Sequence, residues 1–339
     1  MKIFFVILQL APGGAERVAF SLAKGLSETF ELDARVIALQ GFKKNVYEIE
    51  QINYIELKGN KLFNLRKLVV EHKPEIVVTM GVPICIYTIP ALVGLKVKHI
   101  VSERNSPAHF AGKWRTKMIS RWLMRFADGY VFQTEQARNF YGGRITKRSV
   151  VIHNPVCDIN ENQRDTSRLR KEIVAVGRLI KQKNHALLIE SFAEISKQYS
   201  EYQLVIYGEG CERENLESFA TKLGISDKVM FPGAISNVHE RIKDAAMFVM
   251  SSDFEGMPNA LMEAMALGLP CISTNSPCGG PADLIVDGVN GVLVSVGDKS
   301  GLVLAMKNLL EDSAYAESLG RHAVSLRDSH SLGKICELC

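Results

Sequence analysis

Short, continuous apolar runs rich in β-branched residues alternate along this chain with longer stretches of helical period. In the first half the runs fall at residues 3–8, 34–39, 75–80, 99–102, 129–132 and 149–152. Unbroken runs of this length suit strands buried on both faces, and the helical stretches between them supply the crossovers that parallel strands need. After His153-Asn154-Pro155 the segment 158–171 has almost no apolar content and reads as a linker. The pattern then restarts at 172–176, 203–207, 228–231, 247–251, 270–274 and 291–294, again with helical stretches such as 185–196 between the runs. The predicted fold is α/β. It has two Rossmann-like parallel-sheet domains, residues 1–160 and 166–339, facing each other across a cleft, with ligands at the carboxyl ends of the strands.

Composition narrows the setting. A chain of 339 residues with 47% hydrophobic and 23% charged content is long enough to fill two domain cores. No stretch approaches the roughly 20 apolar residues of a membrane span, so any membrane contact is expected to be peripheral. The seven cysteines (Cys85, Cys157, Cys211, Cys271, Cys278, Cys336 and Cys339) are odd in number, scattered and mostly inside apolar runs, which predicts reduced thiols in a cytoplasmic protein. The C-x-x-C at Cys336 and Cys339 lacks the second Cys/His pair that zinc spacing needs. Charge is uneven: residues 1–165 carry a net +9 and the remainder −5, so the first half faces an anionic partner more readily.

Candidate chemistry gathers where runs end. Glu255-Gly256-Met257-Pro258-Asn259-Ala260-Leu261-Met262-Glu263 follows the run at 247–251 as a loop that becomes a helix. Its helix start is a ready anion site, with Glu255 in the loop and Glu263 in the second turn. The bland alternative is a dipole-favoured acid plus a solvated helix glutamate. Gly177-Arg178…Lys183 follows the run at 172–176, and its two cations are placed to converge on one diphosphate, the arginine as a planar fork and the lysine as a point charge. As the bland alternative, both are solvated loop cations. Gly208-Glu209-Gly210 and Pro232-Gly233-Ala234-Ile235 follow the next two runs, where turn punctuation alone also explains them. Gly13-Gly14-Ala15-Glu16-Arg17 joins the first run to a helix, but the G-x-G-x-x-G spacing is absent and no acid ends the second run, which disfavours an NAD site.

Together, the Glu255…Glu263 pair, the Gly177-Arg178…Lys183 loop, the Gly208-Glu209-Gly210 turn and the Gly13-Gly14-Ala15-Glu16 start resemble glycosyltransferase family four, a group of retaining GT-B enzymes, over residues 3–330. The resemblance implies that Arg178 and Lys183 bind the donor diphosphate, Glu263 the ribose hydroxyls and Glu255 the transferred sugar. Backbone amides of Gly256, Met257, Pro258, Asn259, Ala260 and Leu261 would serve sugar and phosphate, Gly208 would belong to the donor site, and Ile235 would meet the base. Gly13 and Gly14 would line the acceptor side. Many members carry a histidine after the fourth strand of the first domain that contacts the donor sugar; here that stretch reads Val101-Ser102-Glu103-Arg104-Asn105-Ser106, with Arg104 expected in its place, His109 a distant substitute, and Glu103 and Arg104 assigned to the acceptor side. Members also usually end in a helix that packs back on the first domain, and this chain, stopping at Cys339, is expected to be shortened there.

The chemistry implied is transfer of a sugar from a nucleotide sugar: negative charge grows on the departing phosphate, where Arg178, Lys183 and the helix start stabilise it. No metal and no cofactor is then called for, and no Asp-x-Asp is present. A UDP-hexose or UDP-N-acetylhexosamine donor and a lipid-linked or polysaccharide acceptor are expected, with no nucleic-acid partner. A non-hydrolysing nucleotide-sugar epimerase and a non-catalytic nucleotide-sugar-binding protein are the alternatives. An anionic membrane surface is the remaining expected partner. Between Lys96 and Arg148 stand 12 basic residues against three acidic ones, and Trp114, Met118, Trp122 and Phe126 recur at four-residue spacing. That stripe either packs on its own domain or meets the headgroups.

Overall fold

The computed structural model describes residues 1–10, 13–41, 54–109, 114–156, 164 and 169–339. Its first sheet contains β1 (Lys2–Ile7), β2 (Asp33–Ala38), β3 (Tyr54–Glu56), β4 (Ile76–Met80), β5 (Lys98–Ser102), β6 (Gly129–Phe132) and β7 (Ser149–Val151). Its second contains β8 (Arg170–Val176), β9 (Gln203–Tyr207), β10 (Val229–Gly233), β11 (Ala245–Met250), β12 (Cys271–Thr274) and β13 (Val292–Val294). The orders are β3-β2-β1-β4-β5-β6-β7 and β10-β9-β8-β11-β12-β13, with parallel neighbours throughout. Both parallel sheets stand where the apolar runs predict them. The unpredicted strand is β3, three residues at a sheet edge with no fully buried side chain, so no continuous apolar run marks it.

Each sheet is covered on both faces. In the first, one core lies under the helix Gly14–Phe30 and takes in Phe5, Val18, Leu22 and Leu26; another includes Phe4, Ile37, Leu65 and Val77. In the second, Phe192, Leu188 and Met306 fill one face, and Phe248, Leu261 and Met265 the other. Phe248 and Leu261 are fully buried, so the strand before the Glu255 loop and the helix after it are anchored in one core. Truncating a phenylalanine packed in this way costs about 3–5 kcal/mol.

Two compact units result: Met1–Pro155 together with His330–Cys339, and Val156–Ser329. The final ten residues thus depart from the second domain assigned to them by sequence, which ran through residue 339. The reason is packing: Ile335 and Cys336, with Leu332 beside them, join the core under Gly14–Phe30. The helix Leu332–Glu337 is the element that packs back on the first unit. The predicted linker, with Cys157, lies mostly outside the described residues, as does Lys113 of the basic segment.

Candidate functional site

In the second unit the strand order reverses between β8 and β11, the place where a doubly wound sheet opens a crevice at its carboxyl edge. The loops leaving these two strands are laced together. Gln182 Nε2 donates to the Phe254 carbonyl at 2.9 Å, and the Asp253 amide donates to the Gln182 carbonyl at 2.9 Å. Asn184 Nδ2 donates to Asp253 Oδ1 at 2.8 Å, while its Oδ1 caps the helix His185–Gln198 by accepting from the Leu187 amide. Ser251 Oγ donates to the Asn184 carbonyl at 2.9 Å. This lacing brings Lys183 Nζ to 2.5 Å from Glu255 Oε1, with side chains only 15% and 8% exposed. Neither is a solvated loop charge.

Glu255 is also held through its backbone, its amide donating to the Pro277 carbonyl and its carbonyl accepting from the Cys278 amide, both at 2.8 Å. A Cβ at Gly280 would lie 1.8 Å from the Gly256 carbonyl oxygen, so only glycine lets the two loops approach so closely. The helix Asn259–Ala266 follows, with Pro258 as its N-cap residue and the Pro258 carbonyl accepting from the Leu261 and Met262 amides. Met257 is 6% exposed and Leu261 fully buried, whereas Asn259 and Ala260 are half-buried at the helix start. Its positive dipole end therefore sits beside the Lys183–Glu255 pair.

Glu263, in the second turn, is buried, and its Oε2 lies 2.8 Å from His239 Nε2. His239 comes from the short helix Val238–Ile242 after β10. Sequence reasoning missed it, because a lone histidine in a polar stretch carries no pattern; its only signal was its place near the end of β10, four residues after Ile235. Ile235 is half-buried against the same core as Leu261. Gly208 has φ 151°, and a Cβ there would fall 1.9 Å from the Gly177 carbonyl oxygen. Arg178 is exposed and forms no ion pair among the described residues, so it does not converge with Lys183 on a shared protein partner.

In the first unit Gly13 is the N-cap of Gly14–Phe30, and Glu16 folds back against it. Glu103 follows β5 and is buried, accepting from Tyr141 Oη at 2.8 Å and from the Arg104 amide at 3.0 Å. Burial pushes its carboxyl above the usual range. Arg104 Nη1 donates to Asn154 Oδ1 at 2.9 Å, and burial pushes its guanidinium down to about 10. Both side chains thus brace the carboxyl edge of the first sheet. The Trp114 stripe behaves otherwise. On the helix Trp114–Leu123 and the turn after it, Trp114, Met118, Trp122 and Phe126 are 65%, 61%, 56% and 63% exposed, while Ser120 on the opposite side is buried. The stripe is not core. No helix among the described residues is long and apolar enough to cross a membrane.

Comparison with known proteins adds four findings. Residues 158–325 match the model of the family described as glycosyl transferases group 1. The chain is 30% identical over 339 residues to the GalNAc-alpha-(1->4)-GalNAc-alpha-(1->3)-diNAcBac-PP-undecaprenol alpha-1,4-N-acetyl-D-galactosaminyltransferase of Campylobacter jejuni, covering 95% of this chain and 92% of that one. It is 27% identical to the Lipopolysaccharide 1,6-galactosyltransferase of Salmonella typhimurium over 71% of this chain and 67% of that protein. Among solved structures, Anabaena Alr3699/HepE in complex with UDP superposes with a TM-score of 0.85 at 19% identity, covering 100% of this chain and 98% of that one.

Proposed function

The chain belongs to the group 1 glycosyl transferases and has their two-sheet GT-B fold, and from that premise we propose that it is a retaining, metal-independent transferase. Its donor is a UDP-hexose or UDP-N-acetylhexosamine, and its acceptor a lipid-linked or polysaccharide glycan. The observation that carries the reading is the Lys183–Glu255 pair, its carboxylate buried and its ammonium largely shielded, at the reversal point of the second sheet and just before a helix start. A lysine there stabilises charge growing on the departing diphosphate, Arg178 adds a planar fork, and Glu255 faces the positive character that develops on the sugar. Glu263 takes the ribose hydroxyls and Ile235 the base. The same charges supply what a divalent ion would otherwise give, which supports metal independence. The glycan acceptors named for the Campylobacter relative support a lipid-linked acceptor.

Gly13, Gly14, Glu103 and Arg104, at the carboxyl edge of the first sheet, form the acceptor side. The exposed aromatic stripe and its cations dock this unit on anionic lipid, placing the enzyme peripherally at the inner face of the membrane. The test of the donor site is calorimetric titration of UDP. Charge-assisted hydrogen bonds contribute about 1.5–3 kcal/mol, so Lys183→Ala should weaken UDP about 10- to 100-fold, with the fold checked by its melting temperature. Unchanged UDP affinity in a folded variant removes Lys183 from the site.

A further inference from the structure

We propose that His239 is a positioning residue of the donor site, holding the Glu263 carboxylate in the orientation from which it recognises a ribose diol. This rests on the reading of Glu263 as the ribose carboxylate. The Glu263 side chain is 6% exposed, so protein donors rather than bulk water must orient its charge. His239 Nε2 stands 2.8 Å from Oε2. A carboxylate only accepts, so the facing imidazole nitrogen carries the proton and donates it.

The contact also spans the sheet. His239 is delivered from the loop of edge strand β10, and Glu263 from the helix that follows β11, with β9 and β8 lying between in the strand order. Ile242, 1% exposed, pins the short helix into the core, and the Lys243 amide donating to the His239 carbonyl closes its turn. The backbone that carries the imidazole is therefore fixed, and the side chain itself is only 25% exposed. Because Ile235 leaves the same strand end, base contact and ribose orientation are set by one loop. Without this donor the carboxylate loses one of the contacts that fix its terminal torsion, and selectivity for the diol falls with it.

The experiment is calorimetric titration of UDP and 2′,3′-dideoxy-UDP against the wild type, His239→Ala, His239→Gln and Glu263→Gln. The wild type should prefer UDP by about 10-fold or more, each tenfold corresponding to about 1.4 kcal/mol. His239→Ala should lose about tenfold for UDP while the dideoxy ligand stays within about twofold, and His239→Gln, which keeps an N–H donor, should recover most of the preference. His239→Phe keeps the bulk without the donor and replaces His239→Ala if the smaller side chain unfolds. Equal weakening of both ligands marks a merely structural histidine and overturns the proposal. Preference that is lost in Glu263→Gln but intact in His239→Ala overturns this proposal alone. No preference in the wild type, with normal UDP binding by Glu263→Gln, overturns the ribose reading as well.

Discussion

Lys183 and Glu255 behave as one unit, because a pair this buried loses its compensation when either charge is removed. Glu255→Gln keeps an oxygen that accepts from Lys183 while deleting the negative charge. UDP affinity should then stay within about threefold, while turnover falls about 100-fold, the scale of one electrostatic contact at a reacting centre. Calorimetry and initial rates read the two quantities separately. A loss of UDP affinity equal to that of Glu263→Gln would mean that the two glutamates do not divide the work. The residues of this site were legible in sequence because loops after apolar runs carried charge beside glycine. Their pairing was not. Spacing alone does not distinguish Arg178 from Lys183, yet Arg178 is exposed and Lys183 is turned inward against Glu255, on a loop held by Gln182, Asn184 and Ser251. His239 needed the fold, because what identifies it is a neighbour 24 residues away.

At the scale of elements, the helix Trp114–Leu123 shows where periodicity stops informing. Four-residue spacing fixes that Trp114, Met118 and Trp122 share a face, but not which way the face turns. The neighbours settle it: Ser120 turns toward the Pro83 carbonyl, Lys117 donates to the Ala108 carbonyl and Arg121 to that of Pro107, leaving the aromatic side outward. Lys117 and Arg121 therefore hold the helix in place, and the cations left for the proposed lipid contact are Arg115 and Arg125, both exposed. Each contributes roughly 1 kcal/mol near an anionic surface and is screened by salt. The protein should sediment with phosphatidylglycerol vesicles and not with phosphatidylcholine vesicles. Arg115→Glu with Arg125→Glu should abolish this without lowering the melting temperature. Equal sedimentation with both vesicle types would leave the stripe without an electrostatic role. Strands were the more legible elements, since an apolar run buried on both faces has one reading, and β3 escaped because an edge strand needs no such run.

Across the whole molecule, the proposed division of labour assigns acceptor recognition to the positively charged first half and donor recognition to the second. Two parallel sheets, each with its own cores, supply the rigid carboxyl edges on which that division stands. The central claim is transfer from a nucleotide sugar by charge stabilisation on the protein, with the anomeric configuration kept. It is tested most directly by NMR of the product formed from α-linked UDP-sugars and a polyprenyl-diphosphate-linked glycan in excess chelator. The account predicts an α-linked product with one UDP released per sugar transferred. A β-linked product, epimerised donor without transfer, or activity that returns only when a divalent metal is restored would contradict it.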